Sequence, residues 1–248
     1  MDTSHKTKEE IKEHHDSEEK ILKDAKLISK LIKDSKNCVI YTGAGKNIKK
    51  TNWVSGISTS AKIPDFRGPE GVWTLKGNIK EGSVNIDQAF PTYCHYAIVE
   101  LMKKGFVKHL VSTNCDGLHR RSGVSEDDIS ELHGNCYLEI CEKCKTEYLR
   151  DFMVRKDPIS HKTGRMCSEK NCDGFLLGTT VAFGESLPEK ELQKGIDHSS
   201  IADLALVLGT SMRVTPACEL PVLNKKGNLV IVNLQITPCM IILYFLKF

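Results

Sequence analysis

The chain has 248 residues, 40% of them hydrophobic and 27% charged, a balance that suits one large α/β globular domain with at most a small satellite. Its formal net charge of +3, with acids and bases interleaved, gives no argument for a nucleic-acid surface and leaves a basic, histone-like substrate open. Ten cysteines, with no apolar leader after Met1-Asp2-Thr3-Ser4-His5, point to a reducing compartment, where paired cysteines mean metal more often than disulfide.

Residues 1–20 carry Lys, Glu and His with few apolar side chains and read as a solvated N-terminal segment. Ile21, Ala25, Ile28 and Ile32 then recur at helical spacing, and Leu22, Leu27 and Leu31 widen the stripe into an amphipathic helix. The run Cys38-Val39-Ile40-Tyr41 ends at Gly43-Ala44-Gly45, as a buried parallel strand entering a phosphate-type turn would. Three small residues are weak evidence alone, because many strand-to-helix junctions have them. A helix over 91–104 and buried strands over 109–112, 179–183, 204–208 and 229–232 come next. Their alternation predicts a Rossmann-like, doubly wound parallel sheet built from 21–135 and 179–238. Residues 136–178 differ: five cysteines, many charges and little apolar periodicity describe a small inserted zinc-ribbon module. The last residues, 239–248, are an uncharged apolar string apart from Lys247, with the run Met240 to Leu246 far short of the roughly 20 residues of a spanning helix. No membrane partner is expected.

Cys141-Glu142-Lys143-Cys144, with Cys167 and Cys172 further on, forms two close cysteine pairs. Tetrahedral zinc needs four thiolates converging at about 2.3 Å, and two tight knuckles supply them without a large core. Four sulfurs leave no position for water, so the expected Zn2+ is structural; reduced, unligated pairs are the lesser alternative. Cys38, Cys94, Cys115, Cys136, Cys218 and Cys239 read as small core or wall residues.

Thr42-Gly43-Ala44-Gly45, Ile63-Pro64-Asp65-Phe66-Arg67-Gly68 and Gly71-Val72-Trp73 together resemble the first block of the sirtuin family. Asn114-Cys115-Asp116-Gly117-Leu118-His119, Glu131-Leu132-His133-Gly134-Asn135, the paired cysteines, Phe183-Gly184-Glu185, Gly209-Thr210-Ser211 and Ile231-Val232-Asn233-Leu234-Gln235 resemble its later blocks, in order. The likeness runs from about residue 20 to 238. Leu118-His119-Arg120-Arg121-Ser122-Gly123 and Val232-Asn233-Leu234-Gln235 are most similar to the class IV branch of nuclear, chromatin-associated enzymes.

The resemblance implies an NAD-dependent protein-lysine deacylase: the acyl-lysine oxygen attacks the nicotinamide ribose, nicotinamide leaves, and the acyl group passes to ADP-ribose. His133 matches the histidine that acts as base on a ribose hydroxyl, and an imidazole with an ordinary pKa of about 6.5 suits that task at neutral pH. A lone histidine elsewhere would read as structural. Thr113 and Asn114 are expected beside the ribose, and Asp116 with the Cys115 backbone at the nicotinamide carboxamide. Phe66 matches the aromatic that shields the reacting carbon from water, flanked by Asp65 and Arg67, for which a surface salt bridge is the bland alternative. Gly43, Ala44, Gly45, Gly209, Thr210 and Ser211 would face phosphate or ribose, and Asn233, Leu234 and Gln235 the adenosine end. Val181, Phe183, Gly184 and Glu185 match the segment that pairs with the backbone of an acyl-lysine protein, possible histones included. By branch the chain would be nuclear, with a cytoplasmic location as the alternative, although no basic import signal is evident.

Three features depart from the pattern. Family members run almost directly from Gly-Ala-Gly into Ile-Ser-Thr, whereas 46–56 intervene here; we read this stretch as a translated intron or gene-model error, with a genuine regulatory or inactivating loop as the alternative. An extra loop is cheap to close, but at a phosphate turn it puts binding geometry at risk. The tail 239–248 replaces a charged continuation and reads as a retained intron or premature stop, prone to aggregate. Thr113 stands where glutamine is usual, which predicts weaker hold on the ribose. These departures keep a catalytically impaired NAD or ADP-ribose binding protein, and a mono-ADP-ribosyltransferase, as competing readings. A zinc ribbon for nucleic acid is disfavoured by the charge balance and by the lack of interleaved aromatics.

Overall fold

The computed structural model describes residues 13–45, 54–61, 86–154, 160–182, 184–238 and 245–246. Helix α1 (Glu18–Asp34) begins at Ser17, whose hydroxyl accepts from the Lys20 amide at 3.4 Å, and carries Glu18 and Glu19 in its first turn, where the helix dipole favours them. Its inward face is narrower than its sequence pattern implies. Ile28, Leu31 and Ile32 pack on the sheet, but Leu22 is 63% and Leu27 50% exposed, and Asp24 takes an inward position by pairing with Lys20 at 2.6 Å.

Strand β1 (Cys38–Thr42) is buried along its whole length. The chain next forms a small antiparallel ladder between β2 (Ala44–Gly45) and β3 (Val54–Ser55), and then a 3-10 turn at Gly56–Ala61. After α2 (Tyr93–Lys103) come β4 (Val107–Ser112), the short α3 (Leu118–Ser122) and β5 (Ile129–Glu131). A separate group comes after them: β6 (Leu138–Cys141), β7 (Glu147–Leu149), β8 (Lys162–Met166) and β9 (Phe175–Gly178). The main sheet resumes with α4 (Glu189–Ile201), β10 (Leu204–Leu208), β11 (Asn228–Val232) and β12 (Phe245–Leu246).

Among the described residues the main sheet is parallel throughout, in the order β12-β11-β10-β1-β4-β5. Side chains alternate across a strand, so Cys38 and Ile40 enter one core with Ile98, Leu110, Leu204 and Leu206, while Val39 and Tyr41 enter another with Val111, Val207 and Leu220. Helices α1 and α2 cover the first face; α4 and the 3-10 turn at Ala217–Val222 cover the second. This is the expected Rossmann-like layering. The four strands from 138 to 178 form their own antiparallel sheet, in the order β7-β6-β9-β8.

Two expectations need correction. The stretch 179–183 is not a sheet strand over its described part: the Thr179 amide donates to Leu138 O at 3.2 Å and the Val181 amide to His133 O at 3.0 Å, so it bridges the two sheets as a connector. Within the tail, read from sequence as an aggregation-prone apolar string, Phe245–Leu246 pairs in parallel with β11, which gives those two residues backbone partners. The remainder of 239–248, including Cys239, lies outside the described residues, as do residues 1–12 of the N-terminal segment.

Candidate functional site

The four paired cysteines converge. Cys141 ends β6, Cys144 lies in the turn to β7, and Cys167 and Cys172 sit in the connection from β8 to β9. All four sulfurs lie within 4.8 Å of one another, with Cys141 to Cys172 and Cys144 to Cys167 both at 3.5 Å. A zinc tetrathiolate with bonds of about 2.3 Å has sulfur–sulfur edges of about 3.8 Å, whereas a disulfide needs about 2.05 Å. The donor set therefore fits one closed, structural zinc. The backbone amides of Lys143 and Glu169 donate to the sulfurs of Cys141 and Cys167 at 3.4 and 3.5 Å, which fixes the positions of both knuckles. Gly174 is required beside them, since a β-carbon there would lie 2.5 Å from the Cys141 sulfur. Under the knuckles, Glu139 is fully buried and clamped by Arg150 at 2.7 Å and Arg165 at 2.9 Å. Burial alone would raise its pKa, but the two guanidiniums hold the carboxyl below the usual carboxylate range.

The second cluster sits where the parallel strands end. β1 lies between β4 and β10; the chain leaves β1 toward β4 on one side and leaves β10 toward β11 on the other, so a crevice opens between the carboxyl ends of β1 and β10. Gly43 comes directly after β1, and a β-carbon there would overlap Thr210 Oγ1 and lie 2.7 Å from Thr113 Oγ1. Gly209 comes directly after β10 with φ +59°, a left-handed conformation that glycine adopts without strain. Thr42, Thr113, Thr210, Ser211 and Arg213 line a solvent-open cleft here.

Asn114, just past β4, is 2% exposed; its amide N–H donates to Ser112 Oγ at 3.1 Å, yet neither polar atom of its side chain has a partner among the described residues. Leaving a buried amide unsatisfied costs about 1–3 kcal/mol, which marks it as a group that a ligand completes. Cys115 Sγ donates to His133 O at 3.1 Å, and with the Val181 amide on the same carbonyl it fixes the loop after β5. Gly134 makes that loop possible: at φ +71° it lies so close to Thr179 O that a β-carbon would overlap it. Asp116 is buried and accepts from Ser58 Oγ at 2.8 Å and the Leu118 amide at 3.0 Å. Burial raises its pKa, with those two donors and Arg121 opposing.

Several members of this cluster escaped the sequence reading. Ser58 belongs to the resumed Ile57-Ser58-Thr59 motif, which was the available signal. Thr42 donates to Ser112 Oγ at 2.9 Å and stands 2.9 Å from His119 Nε2, a chain with no sequence signature because its members lie on three elements. His119 is held neutral by burial. Glu131, one residue before the 132–135 loop, is pushed up to about 8 by burial, against the opposing effects of Arg120 and the Asn135 hydrogen bond at 2.8 Å.

Other expected positions are more loosely placed. Asn233 donates to Gln235 O at 2.8 Å, and the exposed Leu234 accepts from the His14 amide at 2.9 Å. Val181 is buried, whereas Gly184 and Glu185 are exposed, and Glu185 binds the Ala182 amide at 2.5 Å and His161 at 2.9 Å. Ala44 and Gly45 lie in the β2–β3 ladder and do not run directly into a helix start. Asp65, Phe66, Arg67 and Phe183 lie outside the described residues.

A parallel sheet with a glycine-lined switch point, joined to a four-cysteine module, defines the Sir2 architecture, and the Sir2 family model matches residues 77–216. The chain belongs to the Sir2 family. It is 43% identical over 228 residues to the NAD-dependent protein deacetylase SRT1 of Oryza sativa subsp. indica, covering 90% of this chain and 45% of that relative. It is 39% identical over 237 residues to the NAD-dependent protein deacetylase Sirt6 of Drosophila melanogaster, covering 91% of this chain and 71% of that one. Among solved structures, a Sir2 complex with a p53 peptide and NAD+ superposes with a TM-score of 0.64 at 33% identity, covering 90% and 91% of the two chains. The chain thus spans less than half the length of its plant relative.

Proposed function

We propose that this chain is an NAD-dependent protein-lysine deacylase. One observation carries the reading: the buried Asn114 side-chain amide at the sheet's switch point, without a partner among the described residues and next in sequence to Cys115, whose sulfur holds the His133 loop. NAD supplies the ribose carbon that accepts the acyl-lysine oxygen and the nicotinamide that leaves. His133 takes the proton of a ribose hydroxyl. Asn114 and Thr113 orient the ribose, and Asp116, braced by Ser58 and Leu118, with the Cys115 backbone, holds the carboxamide. Gly43, Ala44, Gly209, Thr210 and Ser211 serve the phosphates and adjoining ribose, and Asn233, Leu234 and Gln235 the adenosine. The family likeness of 63–68 and 183–185 supports assigning Asp65, Phe66 and Arg67 to shielding the reacting carbon from water, and Val181, Phe183, Gly184 and Glu185 to the peptide. We divide the chain into an NAD-binding unit, 21–135 with 179–238, and a zinc-binding unit, 136–178.

The test is nicotinamide release from NAD with and without an acetyl-lysine peptide. The expected result is peptide-dependent release that His133→Ala lowers by roughly 10²-fold or more, the usual loss for a general base. No peptide-dependent release from folded, zinc-loaded chain overturns the reading. The finer proposal is a histone tail as substrate and a nuclear location, supported by the likeness of 118–123 and 232–235 to the chromatin-associated branch. Equal turnover of basic and neutral acetyl-lysine peptides, or exclusion from nuclei, would remove it.

A further inference from the structure

Gly56 is eleven positions beyond Gly45 in sequence, yet it returns to the glycine turn in space. Ala44 pairs with Ser55 and Gly45 with Val54, so the chain leaves the turn and returns to it through a two-rung antiparallel stem. The Gly56 amide then lies 3.3 Å from Gly43 O and 3.1 Å from Gly209 O, which joins the ends of β1 and β10. A β-carbon on Gly56 would sit 2.6 Å from the Gly209 Cα, and one on Gly209 would sit 2.9 Å from the Gly56 Cα, so two backbones meet with no room for a side chain on either. The next two residues are anchored in the site: Ile57 O accepts from Thr92 Oγ1 at 3.2 Å, and buried Ser58 donates to Asp116 at 2.8 Å.

We propose that Gly56, rather than Gly45, completes the turn that receives the phosphates of NAD, the β2–β3 stem returning the chain to that turn in register. This rests on the NAD reading above and names the glycine that serves it. Gly45 is spent on the stem, where it pairs with Val54, while Gly56 touches both strand ends that flank the crevice. The loop's closure entropy falls on folding and leaves the contact between Gly43, Gly56 and Gly209 intact.

Calorimetric titration of NAD into the full chain, Gly45→Ala, Gly56→Ala and a chain lacking 45–55 tests this, with zinc content and unfolding midpoint as the check on folding. We expect Gly56→Ala to weaken NAD at least about tenfold, and Gly45→Ala and the deletion to stay within about threefold of the full chain, less than 1 kcal/mol. A silent Gly56→Ala, or a Gly45→Ala that costs as much, overturns the assignment. A deletion that strengthens binding more than about tenfold, or that alone binds NAD, overturns it while leaving the NAD reading standing, because the loop would then be what spoils the turn. Binding by neither the full chain nor the deletion ends the NAD reading itself. Should Gly56→Ala fail to fold, Gly45→Ala and the deletion still decide.

Discussion

Asn114 and Glu131 are both buried at the ends of neighbouring strands, and both are held in states that water would reverse. The Asn114 side-chain amide has given up hydration without a partner among the described residues, so its contribution to the folded chain is small or negative. Asn114→Ala should therefore leave the urea midpoint nearly unchanged, within about 1 kcal/mol, while nicotinamide release falls by about 10²-fold. A large loss of stability with release preserved would make Asn114 a packing residue. Glu131 differs, since the folded chain keeps a proton on it up to about pH 8, against an ordinary 4.5. In that interval the unfolded chain has released the proton, so the Glu131 contribution is fully present below about 4.5 and is lost as pH rises through about 8. Glu131→Gln, which imitates the protonated acid, should flatten the difference in unfolding free energy between pH 5 and 8.5. An identical pH profile for the two proteins would refute a raised Glu131 pKa.

At the scale of elements, burial decides which parts of a sequence pattern matter. In α1 the heptad-like run of aliphatic residues reads as one broad stripe, but only Ile28, Leu31 and Ile32 meet the sheet. Ile32→Ala should cost about 2–4 kcal/mol in chemical denaturation, whereas Leu22→Ala should cost less than about 0.5, and equal costs would contradict the observed packing. Strands β1, β4, β10 and β11 were legible to within two residues because burial on both faces leaves a continuous apolar run, as in Cys38-Val39-Ile40-Tyr41, whereas the short β5 and the strands of the small sheet carry no such run. Residues 179–182 misled for the same reason. Thr179, Thr180 and Val181 are β-branched and the stretch is buried or half-buried, as a strand would be, yet the Thr179 and Val181 amides go to carbonyls of the neighbouring β6 strand and His133 loop, and a hydrogen-bond partner leaves no mark on composition.

For the whole molecule, the small sheet from 138 to 178 depends on its metal more than on its apolar content. Of its strands, β8 alternates only between exposed and half-buried positions, and Phe175 and Leu149 are exposed. Its stability rests on the tetrathiolate and on the Glu139 clamp. A chelator strong enough to remove zinc, or Cys141→Ser, should melt this sheet first, with β-signal and amide protection lost there before the parallel sheet opens. One zinc per chain by metal analysis is the accompanying expectation, and a chain that is fully folded without zinc would contradict it.

The sequence by itself determined the alternation of strands and helices, the zinc ligands and the order of the glycine, asparagine and histidine segments, because each depends on local spacing or on residue chemistry. Only the tertiary structure decided which glycine lies against Gly209, which serine braces Asp116, and why Asn114 lacks a partner. Those are relations between strand ends far apart in the chain, fixed by the register of the parallel sheet and by the loss of water at its edge.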